Sequence, residues 1–82
     1  MTDTRIRDLG RKAELEQTRL TLETKIRLAV EQLALKADPH APMADLDGDG
    51  MAELGVETAE LLIQWRENEA LLASIKRTLG IR

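Results

Sequence analysis

The feature that most constrains the fold is a heptad pattern near the C-terminal end of the chain. Eight positions, separated alternately by four and three residues, run from residue 54 to residue 79, and six of them are apolar or aromatic. This spacing aligns side chains along one stripe of an α-helix and is typical of helices that pack against another helix. It predicts a helix over residues 51–79. The eight positions are Leu54, Thr58, Leu61, Trp65, Asn68, Leu72, Ile75 and Leu79.

Both ends of this helix carry recognisable signals. Lys76 and Arg77 fall in its last turn, where cations interact favourably with the helix dipole. Gly80 is placed to end the helix in the left-handed conformation, and Ile81 follows as its apolar contact. Asp49 or Gly50 is predicted to cap the other end.

A second helix is predicted over residues 4–37. The segment TRLTLETKIRLAV alternates polar and apolar residues with a period of two, which is also found in strands. A helix is favoured because more than thirty residues run without proline and because Glu23 precedes Arg27 by four residues, a favourable helical pair. Pro39 then ends the helix, since the residue before a proline avoids the α conformation. A matching heptad stripe consists of Leu15, Leu22, Ile26, Ala29 and Leu33.

Two helices joined by an acidic linker, residues 38–50, predict an all-α fold. We expect residues 1–82 to form one domain, an antiparallel two-helix coiled-coil hairpin. The predicted interface residues are Leu54, Leu61, Trp65, Leu72, Ile75 and Leu79, together with Leu22, Ile26 and Leu33. Several apolar side chains lie off both stripes, so we expect the hairpin to complete a helical bundle by self-association or with a partner helix. They are Leu20, Leu28, Leu35, Leu62, Ile63 and Leu71.

Composition narrows the functional classes. The chain contains no cysteine, a single histidine, His40, and no glycine-rich phosphate loop, so the sequence offers no catalytic set and an enzyme is not expected. A net charge of −3 and a single aromatic residue disfavour nucleic-acid binding. The first residues lack the apolar core of a signal peptide, and the apolar runs are too short to span a bilayer. We expect a soluble, cytoplasmic protein that does not bind membranes.

The linker carries the one motif that suggests a ligand. Residues 38–60 contain seven acidic residues and no lysine or arginine. The stretch DLDGDG resembles the first half of an EF-hand calcium loop, which implies ligands at positions 1, 3, 5, 7 and 9. In this sequence those positions are Asp45, Asp47, Asp49, the Met51 carbonyl and Glu53. Val56 stands at position 12, where the loop requires a bidentate acid, so any calcium affinity is expected to be weak.

The same stretch has a simpler interpretation. Aspartate and glycine are favoured turn residues, and aspartate is a strong helix cap. DLDGDG therefore fits either a turn that starts a helix or a weak calcium site. No cofactor other than calcium is suggested.

Two functional hypotheses follow from these patterns. In the first, the chain is a small non-catalytic protein–protein interaction module, an adaptor, an accessory protein or a chaperone-like hairpin acting through apolar helix faces. Small helical-hairpin chaperones of secretion systems are similar in length and layout. In the second, it is a calcium-binding module that uses the DLDGDG loop.

Overall fold

The computed structural model describes residues 2–80, which form two long helices and a short connection. Helix α1 spans Thr2–Lys36, a single 3-10 turn spans Met43–Asp45, and helix α2 spans Gly48–Leu79. The helices pack against each other as an antiparallel pair, and together they form a rod about 63 Å long and 18 Å wide. The predicted all-α helical hairpin is confirmed.

The two heptad stripes face each other, as their spacing predicts. On α2, Leu72 is 1% exposed and Leu79 is also buried, while on α1 the buried positions are Leu22 and Ala29. The other predicted stripe positions are half-buried or buried, and none is exposed. Burying one leucine stabilises the fold by about 1.5–3 kcal/mol, so this seam supplies the main stabilisation of the hairpin.

Two polar contacts set the alignment of one helix against the other. The Asn68 side-chain amide donates a hydrogen bond of 2.9 Å to the backbone carbonyl of Leu15. One step along, Arg19 Nε donates to Glu69 Oε1 at 2.6 Å. Leu15 and Arg19 on α1 therefore lie at the level of Asn68 and Glu69 on α2.

Helix α2 begins at Gly48, three residues before the predicted start. Its cap is Asp47, not Asp49 or Gly50, because Asp47 Oδ1 accepts a hydrogen bond of 2.9 Å from the Gly50 backbone N–H. A Cβ atom on Gly50 would collide with the Asp47 carboxylate, so the glycine leaves room for this cap. The earlier start shortens the linker to residues 37–47.

The other helix ends lie close to their predicted positions. Helix α1 begins at Thr2, two residues before the predicted start, and ends at Lys36, one residue before the predicted end. Gly80 has a φ of 73°, and its N–H contacts the carbonyls of Arg77 and Lys76, which is the predicted left-handed ending. The predicted contact of Ile81 lies outside the described residues.

Candidate interaction surface

The residues predicted as an interface form the contact between the two helices of this chain. Leu22, Leu72 and Leu79 are buried, and the other six of the nine are half-buried. A partner can therefore reach these side chains only in part while the hairpin is closed. The accessible apolar surface consists of other residues.

On helix α1, the off-stripe leucines are exposed as their positions predict. Leu20 is exposed over 60% of its surface, Leu28 over 55% and Leu35 over 80%. Single exposed leucines are common on protein surfaces. Helix α2 leaves these three side chains of α1 uncovered.

On helix α2, the exposed apolar residues other than Leu71 follow a second heptad pattern, which is not one of the predicted stripes. Eight positions separated alternately by four and three residues run from residue 52 to residue 77, and all eight are exposed. Six are Ala, Val or Ile, and the other two are arginines. We call this set the outer stripe: Ala52, Val56, Ala59, Ile63, Arg66, Ala70, Ala73 and Arg77.

Four of the eight outer-stripe residues are alanines. From the sequence, only Ile63 of this stripe was identified as an apolar residue outside the seam. Alanine is favourable anywhere in a helix, so its presence does not mark a contact face. The spacing was nevertheless visible. Two stripes of four-three spacing therefore lie on α2, and α1 covers one of them.

Charge is distributed unevenly along α2. Its first half, residues 48–63, carries the four acids Asp49, Glu53, Glu57 and Glu60 and no basic residue. Its second half, residues 64–79, carries three basic residues and two acids, of which Glu69 pairs with Arg19. The exposed side of the helix is therefore acidic towards the linker and basic towards Gly80.

A shallow cleft of about 240 Å³ lies beside the seam near the middle of the rod. It is lined by Glu23, Ile26, Arg27, Leu62 and Trp65. The indole Nε1 of Trp65 is buried and has no hydrogen-bond partner within residues 2–80. An unpaired buried donor costs about 1–3 kcal/mol, so Trp65 serves here through its apolar ring.

In the DLDGDG stretch, the Asp47 carboxylate already accepts two hydrogen bonds from other residues of the chain. Its Oδ1 accepts from the Gly50 N–H, and its Oδ2 accepts from Lys36 Nζ at 3.1 Å. The Gly50 N–H, and then the Lys36 ammonium, lower the pKa of the Asp47 carboxyl from its ordinary value. Both oxygens of this carboxylate therefore serve the start of α2 and its tie to α1.

The other predicted calcium ligands lie one after another along the chain, in two different structural elements. Asp45 lies in the 3-10 turn, and Asp49, Met51 and Glu53 lie inside the first turns of α2. Within residues 2–80, no three acidic or histidine side chains come together closely enough to hold a metal ion. The calcium site stays a prediction for a binding measurement to test.

A larger cleft, about 590 Å³, lies at the linker end of the rod. Its walls come from Leu35, Lys36, Asp47, Glu53 and Glu57, with three further residues of the same two helices. Carboxylates and one ammonium face it, but its lining contains no hydroxyl, thiol or imidazole.

Neither helix in the described part of the chain contains an apolar stretch that would cross a membrane. No protein-family model, curated protein or solved structure matches this chain.

Proposed function

We propose that the chain is a small non-catalytic protein–protein interaction module, of the adaptor, accessory or chaperone-like kind, that acts through apolar helix faces. The observation that carries the proposal is the outer stripe, a heptad pattern left wholly exposed after the hairpin has formed. Heptad spacing has no role on a solvated face, whereas a partner helix requires it.

The size of the exposed apolar surface supports the same proposal. Val56 is exposed over 59% of its surface and Ile63 over 54%. Burial of each such side chain is worth about 1.5–3 kcal/mol. Small domains have total stabilities of about 5–15 kcal/mol, so covering several of these residues would change stability substantially.

Composition and charge favour a protein partner over other ligands. The net charge of −3 and the single aromatic residue do not suit nucleic acid. Charged residues flank the apolar stripes on both helices, which suits helix–helix recognition in water. A chain without cysteine fits a reducing compartment, so we propose a cytoplasmic location.

Site-specific photo-crosslinking in living cells tests this function. A photoreactive residue at Ile63 on the outer stripe, or at Leu35 on α1, should trap a protein, either another copy or a different chain. Glu57 and Lys25, which are exposed polar positions off the apolar surface, are the matched controls. Crosslinks from Ile63 or Leu35 but not from the controls support an interaction module. An absence of crosslinked adducts at all four sites would contradict the proposed function.

A further inference from the structure

We propose that the occupant of the outer stripe is a second copy of this chain, packed so that the two α2 helices run antiparallel. This inference rests on the proposed function and names its partner. The resulting dimer is a four-helix bundle in which the two α2 helices form the central contact and each α1 flanks its own α2.

The shape of the outer stripe suits another helix of the same kind. Its eight positions span residues 52–77, about 38 Å at 1.5 Å per residue. Four of them are alanines, which let two helix backbones approach closely, and Val56 and Ile63 supply the larger side chains. A second α2 offers an equally long stripe with the same spacing, which a short or irregular partner segment does not.

Charge selects the antiparallel orientation. In a parallel pair, Arg66 would face Arg66 and Arg77 would face Arg77. The acidic halves of the two helices would also lie beside each other. In an antiparallel pair centred between Gln64 and Trp65, the acidic half of one helix lies along the basic half of the other. Like charges in contact destabilise an interface and opposite charges direct it, so the antiparallel arrangement is favoured.

The antiparallel alignment also gives the two arginines of the stripe acidic neighbours. Arg66 lies opposite Ile63 of the other copy, and Glu60 is one helical turn from that Ile63. Arg77 lies opposite Ala52 of the other copy, one turn from Asp49. Val56 then faces Ala73, and Ala59 faces Ala70. Because the contact is two-fold symmetric, every charge pair forms twice.

A charge-reversal cycle tests this arrangement. Glu60→Arg and Arg66→Glu are both changes at exposed positions, so the helix content of each variant should match the parent. Each single reversal places like charges together at two symmetric sites and should weaken the dimer by about tenfold. The double variant restores opposite charges and should recover most of the parent dimer affinity, measured by sedimentation velocity.

A single introduced cysteine shows which helix face forms the dimer contact, since the natural chain contains no cysteine. Ile63→Cys lies near the two-fold axis and should be joined to its own copy by a short bis-maleimide. Leu28→Cys is the matched control, because Leu28 is exposed over 55% of its surface but lies on α1. Efficient crosslinking at Ile63 but not at Leu28 supports the inference, together with recovery of dimer affinity in the charge double variant.

Three results would overturn it: crosslinking that is as efficient at Leu28 as at Ile63, charge reversals without effect on the dimer, or a parent that stays monomeric. None of these bears on photo-crosslinks to a different protein in cells. The proposed function therefore survives if Ile63 traps another chain, and it fails separately if nothing is trapped.

Discussion

Asn68 on α2 donates a hydrogen bond of 2.9 Å to the backbone carbonyl of Leu15 on α1, inside the seam between the helices. Asn68 is 5% exposed, so this contact is shielded from water. A polar residue at a seam position lowers stability but admits only alignments in which its hydrogen bond is satisfied. Here it selects the alignment that also brings Arg19 to Glu69.

Substitution of Asn68 separates these two effects. Asn68→Ala removes the hydrogen bond and leaves a small cavity, so it should lower the free energy of unfolding by about 1–3 kcal/mol. Asn68→Leu should instead raise thermal stability while admitting more than one alignment, visible as more than one set of backbone amide resonances in NMR spectra. Thr58→Val is the control, because the buried Thr58 hydroxyl bonds only within α2, to the Leu54 carbonyl at 2.7 Å. Equal effects at both positions would contradict an aligning role.

Trp65 should contribute through its ring and not through its N–H. Trp65→Ala is expected to lower the free energy of unfolding by about 3–5 kcal/mol, measured by chemical denaturation. Trp65→Phe should cost much less, because the indole Nε1 has no partner to lose within residues 2–80. The tryptophan fluorescence of the parent should be blue-shifted. A Phe variant as unstable as the Ala variant would contradict a contribution through aromatic packing alone.

Asp47 should stabilise the start of α2 in a pH-dependent way. Its folded pKa lies below its ordinary value of 3.8 because of the Gly50 N–H and Lys36. A lowered pKa contributes stability above the unfolded value, and this contribution is lost as pH falls through the folded value. Asp47→Ala should therefore lower the melting temperature by several degrees at pH 7, and the difference from the parent should shrink below about pH 4. A difference that is independent of pH would contradict a contribution from the ionised carboxylate.

The helical hairpin was predictable because heptad spacing is a property of each helix alone. Leu54 and Leu79 mark the seam of α2 in the sequence, and the structure places the whole stripe against α1. The antiparallel pairing was expected because two helices of similar length are joined by one linker. Nothing in the spacing of either helix fixes their relative alignment, so the contact between Arg19 and Glu69 was not predictable.

The start of α2 was harder to predict for a local reason. Asp45, Asp47 and Asp49 occur at alternate positions, and each is a suitable cap. Only the backbone path shows that Asp47 reaches the Gly50 N–H and that Lys36 is close enough to pair with it. The outer stripe was missed for a different reason, because its alanines carry little hydrophobic signal.

If the DLDGDG loop binds calcium, calcium should produce a binding heat and a thermal shift. The hydrogen bonds that Asp47 accepts within the fold argue against this. We expect millimolar calcium to give no binding heat and no thermal shift beyond that of matched magnesium, because both Asp47 oxygens are engaged and Val56 cannot supply the bidentate ligand. Isothermal titration and melting curves provide the measurement. A calcium-specific shift that Asp45→Asn abolishes would establish the site, since that variant leaves the Asp47 cap intact.

The most direct test of the proposed self-association is sedimentation equilibrium of the unmodified chain at micromolar concentration. We expect a mass of twice the 9.2 kDa of one chain, falling towards that of a single chain on dilution. Ile63→Glu should give a helical monomer at concentrations where Leu28→Glu, changed at an equally exposed position, remains dimeric. A parent that sediments as a 9.2 kDa monomer throughout, with full helicity and a sharp melt, would contradict it.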